Sequence, residues 1–294
     1  MPRALSAQPF THKQGLAAGL TTGRLEGADL GRPFHGIRHP DNGSLTTAQR
    51  CQAYSLIMAH NAFFSSVTAA QLMTLPLPAR IDRETDLHVA VPSPTRSSKA
   101  AGVIGHKVKL MGGDFVTWNG LRHSSPERAW CELAEVLRLD DLVAVGDHLI
   151  HGEYALTTVE RLRDAVERYP GMRGIATLRA AAALLDARAE SAMESRTRLI
   201  LARAALPPCE PNFWVQTPAA RYRLDFAFPG YQSYVEYQGN YHFDIDQQRR
   251  DMTRRSRLDA IDWRGIEINV RDLDDPAELT ARVAGFLRLR GWRG

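Results

Sequence analysis

Cysteine is scarce in this 294-residue chain: Cys51, Cys131 and Cys209 stand alone, with no C-x-x-C pair. That spacing excludes a disulfide framework and a cysteine-based zinc site, and leaves reduced structural thiols as the expectation. Long apolar runs are missing too; none approaches the roughly 20 residues needed to cross a bilayer. The N-terminal residues lack the charged-then-apolar pattern of a secretion signal, so the expectation is cytoplasmic residence with no membrane partner. P-loop and dinucleotide-binding glycine motifs are absent. So is the G-x-S-x-G turn of a serine hydrolase, which argues against Ser65-Ser66 as a nucleophile. There is no H-E-x-x-H, and His60, His88, His106, His123, His148 and His151 are scattered without metal-ligand spacing, as packed or surface histidines are. Charge of one sign is only slightly in excess, +4 overall, which permits nucleic-acid binding without requiring it.

What is present is the composition of a globular protein, 44% hydrophobic and 24% charged, long enough for two domains and a small third module. The most informative stretch is Tyr222–His242, YRLDFAFPGYQSYVEYQGNYH. Leu224, Phe226 and Phe228 alternate as one strand, and Tyr234, Val235 and Tyr237 suggest its partner. Pro229 and Gly230 supply the turn between them. Such a hairpin brings Asp225 and Glu236 together at its open side. A carboxylate on a half-buried strand is costly unless something positive is bound there. A divalent cation held by hard oxygens is the simplest candidate.

The flanking segments follow the same logic. Ala189–Ala205 reads as a helix with Met193, Leu199, Ile200 and Ala204 on its apolar side and Glu194 beside it. On spacing alone Glu194 pairs with Arg198 four residues on. A long helix over about Asp244–Ile261 carries five arginines, Arg249, Arg250, Arg254, Arg255 and Arg257. Arg250, Arg254 and Arg257 form one stripe. That stripe suits either a phosphate backbone, which guanidinium binds bidentately, or a solvated face with Asp246–Arg250 and Asp251–Arg255 pairs. Gly265–Val270 reads as a further strand and Pro276–Arg290 as a closing amphipathic helix.

Leu224-Asp225, then Glu236-Tyr237-Gln238 with Gly239 and His242, resembles the PD-(D/E)xK nuclease superfamily, most closely its very-short-patch-repair (Vsr)-like branch. The resemblance covers roughly Met193 to Phe286 and departs at two positions: Leu224 replaces a proline, and Gln238 replaces the usual lysine. It implies Mg²⁺ or Mn²⁺ held by Asp225 and Glu236, with Gln238, His242 and Glu194 completing a catalytic set. Arg249, Arg250, Arg254 and Arg257 would then contact DNA. The Vsr repair enzyme carries a structural zinc site that this chain lacks, so only its catalytic core is resembled.

At the other end, Phe10–His39 suggests a small winged helix-turn-helix or an unspecialised helical hairpin. Thr11 and Thr21 are cap candidates, and Phe34–His39 would be the wing strand. In a winged helix, Thr22, Arg24 and Arg38 become the DNA contacts. The sequences G-L-T and R-P-F-H-G-I, with the segments Phe63–Leu72, Leu87–Pro92, Gly120–Ala134 and Leu139–Ile150, resemble actinobacterial proteins with an AbiEi-type antitoxin domain. That resemblance implies a DNA-binding repressor of a type IV toxin–antitoxin system and a toxin partner. In the middle, Leu87–Val91 and Val103–Val108 alternate as strands, and Ser125-Pro126 opens a helix.

The expected architecture is an α/β, α+β multidomain chain. It comprises a winged-helix-like module (1–45), an α+β middle domain with a helical connector (46–186) and a restriction-endonuclease-like core (187–294). The expected function is metal-dependent DNA cleavage, with a DNA-binding repressor or antitoxin that does not cut as the alternative.

Overall fold

The computed structural model describes residues 1–239 and 245–294. They form two compact units, Met1–Val145 with Leu156–Ala183, and Gly146–Ala155 with Leu184–Gly294. Helices and mixed sheets alternate in both, which is the α+β multidomain class expected.

In the first unit, β1 (Phe10–Thr11) pairs antiparallel with β2 (Ile37–Arg38). Between them lie helices His12–Ala17 and Thr22–Leu25, capped by the Thr11 and Thr21 hydroxyls as their sequence suggests. Gln14 completes a capping box with Thr11, so two otherwise orphaned amides are satisfied reciprocally. The second helix is only four residues long, little more than one turn, rather than a rod that fills a major groove. The wing expected over Phe34–His39 contracts to Ile37–Arg38, because Phe34 and Ile37 turn inward to the core. Residues 1–45 fall within this unit.

The unit's larger sheet has the order β5-β4-β3-β7-β6, from β3 (Phe63–Phe64), β4 (Leu87–Pro92), β5 (Val103–Val108), β6 (Phe115–Trp118) and β7 (Leu121–Ser124). Ser125 caps helix Pro126–Leu133, with Pro126 at its first position. That helix buries Arg128 between Asp114 at 3.1 Å and Glu132 at 2.8 Å, over the Tyr169 ring. A buried charge is tolerable here because both carboxylates meet it.

The second unit opens with helix Ala192–Arg203, followed by β8 (Glu210–Gln216), β9 (Arg221–Phe228) and β10 (Ser233–Tyr237). Helix Ile245–Asp259 then leads to β11 (Arg264–Ile268), and helix Pro276–Leu289 closes the unit. The sheet order is β11-β10-β9-β8; β8, β9 and β10 form an antiparallel meander, and β11 lies parallel to β10. A parallel neighbour requires a crossover, and the arginine-rich helix provides it. Ile200, Phe226, Phe228, Val235, Leu279, Val283 and Leu287 pack in one cluster, and Val215, Leu224, Ala227, Tyr234 and Leu258 in another. The sheet is thus buried on both faces.

All three cysteines are reduced, and burial pushes each thiol up to about 12. Among the described residues no helix is long and apolar enough to cross a membrane.

The helix that carries Glu194 is anchored by Asp147, which the sequence did not single out. This wholly buried carboxylate accepts from the Asp186 amide at 2.7 Å, Ser195 Oγ at 2.7 Å and Arg198 Nη2 at 2.9 Å. Burial raises its pKa despite those donors. Arg198→Met is therefore expected to cost about 3 kcal/mol, by leaving Asp147 buried without its countercharge. Urea unfolding of wild type and variant measures this; a change within about 0.5 kcal/mol would mean that the pair is not an anchor.

Candidate active site

β9 and β10 form the expected hairpin, with Ser233 opposite Phe228, Tyr234 opposite Ala227 and Val235 opposite Phe226. Gln232 adopts a left-handed conformation where the chain turns. Asp225 and Glu236 therefore follow at the open end on neighbouring strands, where cross-strand side chains approach each other. The Tyr237 amide donates to Asp225 Oδ2 at 3.0 Å and ties the two strands together there. The alternation of Leu224, Phe226 and Phe228 is not continuous: Leu224 packs in one cluster, Phe226 and Phe228 in the other. The break falls at Asp225. On β8, Pro211 pairs with Phe226 and Phe213 with Leu224, so Asn212 faces Asp225, and Asn212 has φ +55. Such a backbone conformation is costly for a residue with a side chain and clusters at functional sites.

Burial, then repulsion from Glu236 and Glu194, raises the Asp225 pKa to about 6 against the pull of the Tyr237 amide and Arg254. Three carboxylates thus share one electrostatic neighbourhood. Glu194 is held in a capping arrangement, accepting from Ser191 Oγ at 2.9 Å and the Glu190 amide at 3.1 Å. The pairing with Arg198 that spacing suggested is replaced by the Arg198–Asp147 bridge. Glu194, Asn212 and Asp225 line a cavity of about 10 Å³, room for about one water, together with Arg188 and Arg198, which are paired to Asp186 and Asp147. Asn212 Nδ2 donates to the Arg188 carbonyl at 2.8 Å, while its Oδ1 is buried without a partner. Sequence reasoning passed over Asn212 because nothing in an E-P-N-F-W strand marks a turned-in amide.

Glu236 is already met by a cation. Arg254 Nη1 donates to its Oε2 at 2.5 Å and Nη2 to the Arg223 carbonyl at 2.7 Å. Burial opposes the Arg254 charge, but the Glu236 hydrogen bond and the surrounding carboxylates outweigh it and raise its pKa. The sequence placed Arg254 on phosphate; the structure spends it on the second acid. Arg257 donates to the Tyr222 hydroxyl at 2.8 Å, Arg249 pairs with Asp246 at 3.2 Å, and Arg255 meets Glu267. Arg249, Arg250, Arg254 and Arg257 nevertheless line one open concavity of about 550 Å³ with Tyr222. Gln238 lies just beyond β10, its amide donating to the Ile268 carbonyl at 2.7 Å. His242 lies outside the described residues.

Among the described residues no three histidine, cysteine, aspartate or glutamate side chains are grouped as a metal-holding set. The oxygens present fit a small hard cation all the same, since Mg²⁺ is commonly held by one or two carboxylates together with water and substrate phosphate. The unpartnered Asn212 Oδ1 and the repulsion on Asp225 are what such an ion would relieve.

The residues proposed for the front end are occupied differently. Arg24 is bidentate to Asp29 at 3.0 and 2.7 Å. Arg38 donates to the Leu25 and Ile37 carbonyls at 2.6 and 3.0 Å. Thr22 is exposed at the start of its four-residue helix.

No family model matches the chain. It is similar to two uncharacterized Mycobacterium tuberculosis proteins, MT2308 of strain CDC 1551 / Oshkosh and Rv2248 of strain ATCC 25618 / H37Rv. Each is 27% identical over 244 residues, 82% of this chain and 89% of the relative. The crystal structure of the M. tuberculosis RV2827C protein is a slighter likeness, with a TM-score of 0.40, 15% identity, and coverage of 72% of this chain and 84% of that one.

The Asp225 environment has a consequence for stability. Its folded pKa of about 6 lies above the ordinary 3.8, so the unfolded chain ionises first as pH rises. Below about pH 4 the group is protonated in both states and makes no difference; stability falls between there and about pH 6 and stays reduced above. The loss amounts to about 3 kcal/mol at most. Asp225→Asn should therefore be more stable than wild type at pH 8 and level with it near pH 4. Urea unfolding across that range checks this, and a gap independent of pH would contradict it.

Proposed function

We propose that the second unit is a Mg²⁺- or Mn²⁺-dependent DNA endonuclease of PD-(D/E)xK, Vsr-like type. The observation that carries this reading is the gathering of Asp225, Glu236 and Glu194 near the open end of the hairpin, where burial first, and then repulsion from the other two acids, raises the Asp225 pKa to about 6. Two acids on neighbouring strands, one of them costly where it stands, make sense as ligands. The order of hairpin, basic helix, parallel strand and closing helix agrees with the resemblance.

Asp225 and Glu236 would hold the ion, with Asn212 Oδ1 and Glu194 beside Asp225. When bound, the ion supplies a polarised phosphate and a water acidic enough to attack at neutral pH. The chain's own residues do the rest. Arg254 fixes Glu236 in direction through their ion pair. The Gln238 side chain, where the resembled family has lysine, can orient a water or phosphate oxygen by hydrogen bonding without carrying charge. His242 follows on the same connection in sequence and is the candidate to shuttle the proton. The arginine-lined concavity holds the phosphate backbone, and such binding weakens steeply with salt.

A second reading is a DNA-binding regulator, an antitoxin with a toxin partner, whose nuclease-like unit does not cut. The Arg254 hold on Glu236 and the uncharged Gln238 favour it.

Plasmid nicking with Mg²⁺ or Mn²⁺, against an EDTA control, separates the two readings. Asp225→Ala is expected to lose at least about a hundredfold in nicking while retaining DNA affinity. Nicking by the variant at the wild-type rate, or none by wild type with either metal, refutes the hydrolase. Independently, Arg250→Gln should weaken DNA binding similarly across sequences and lower the slope of log affinity against log salt by about 1. Fluorescence anisotropy titrations at several salt concentrations measure that slope.

A further inference from the structure

The turn R-P-F-H-G-I-R of the first unit lines an open cavity of about 780 Å³. Its polar wall consists of Arg32, Arg38, His12 and His35, and none of the residues lining it is acidic. Among the described residues the two guanidiniums are held by neutral oxygens: Arg32 Nη2 donates to the Glu26 carbonyl at 2.6 Å, Arg38 to the Leu25 and Ile37 carbonyls. Carbonyls satisfy donors without cancelling charge. This contrasts with Arg24, whose charge Asp29 neutralises on the same segment. A third guanidinium, Arg50, sits 5.7 Å from the centre of the Phe34 ring, and its Nε is buried without a partner. Gly36, at φ +75, has no atom within 4 Å of where a side chain would begin, so the backbone lies open to a ligand here.

The rest of the lining is largely apolar. Pro33, Ile57, Ala100 and Ala101 belong to it, and Ile57 is 45% exposed. A ligand that matches this lining therefore combines a negatively charged group with an uncharged body. Two uncancelled guanidiniums match the charge of about −1.5 to −2 on one phosphate monoester, and Arg binds such groups bidentately. The volume is that of an ordinary small-molecule site, about 300–1,000 Å³.

We infer that this cavity binds a nucleoside monophosphate, either free or as the phosphorylated end of a nucleic-acid strand. Arg32 and Arg38 receive the phosphate, His12 and His35 offer ring N–H donors beside it, and the base rests on Pro33 and Ile57. The inference stands on the first unit alone and does not depend on the second unit's being a hydrolase.

Isothermal titration of the full chain in EDTA, with AMP, adenosine and inorganic phosphate, tests it. Two further arms use a short DNA strand with and without a 5′-phosphate. AMP is expected to bind at least about tenfold more tightly than adenosine, because one charge-assisted phosphate contact is worth that much. Arg32→Gln should weaken AMP about tenfold, and Arg32→Gln with His35→Gln further. Both side chains are exposed, so unchanged thermal unfolding will separate lost binding from lost fold. Binding of the 5′-phosphorylated strand in preference both to its unphosphorylated counterpart and to AMP identifies a strand end as the natural ligand; AMP binding with no preference for the 5′-phosphate on the strand identifies a free nucleotide. Equal binding of AMP and adenosine, no binding of either AMP or the phosphorylated strand, or indifference to Arg32→Gln overturns the assignment.

Discussion

The second unit is organised around an excess of negative charge that the fold cannot disperse. Asp225 and Glu236 stand on adjacent strands of a sheet buried on both faces, and Glu194 approaches from the helix that precedes the sheet. Water cannot screen them fully, so their repulsion must be met by hydrogen bonds or by cations. The Tyr237 amide meets part of it and Arg254 another part. Burial, together with the repulsion left over, yields a carboxyl that holds its proton to about pH 6. The neighbouring elements then acquire a reason: the crossover helix delivers Arg254, and Asp147 fixes the helix that delivers Glu194.

The same helix serves two ends at once. Arg254 faces the acids, while Arg249 and Arg250 lie with it along the open concavity. A guanidinium already engaged by a carboxylate is a poor phosphate ligand until that carboxylate is otherwise satisfied. A cation at Asp225 and Glu236 and a phosphate beside the arginines would therefore favour each other, since each relieves what the other leaves unpaired. This coupling is reciprocal by thermodynamic necessity.

Much of this unit was legible in the chain. The hairpin, its turn at Pro229-Gly230, the basic helix and the closing helix lie where periodicity and turn residues put them. In the first unit the strands at Leu87 and Val103 and the caps at Thr11, Thr21 and Ser125 were equally local signals. What escaped was long-range pairing among charges. Arg254 lies 18 residues from Glu236, and Arg198 lies 51 from Asp147. Spacing rules see only three or four residues ahead along a helix. Asn212 escaped for a related reason: its role depends on the break in pleating opposite Asp225, which exists only once β8 and β9 pair. The second front-end helix starts where Thr21 suggested and runs only four residues, since Gly23 weakens it and Phe34 and Ile37 draw the following chain inward.

With their thiols pushed up to about 12, buried Cys51 and Cys131 and half-buried Cys209 offer little thiolate to alkylating reagents at neutral pH. A cysteine introduced at an exposed position, on the outer side of β6 or along the arginine-rich helix, would react ahead of them. Dyes or spin labels can therefore be attached to either unit without first stripping the native sulfurs, and the distance between the two units becomes directly measurable in solution.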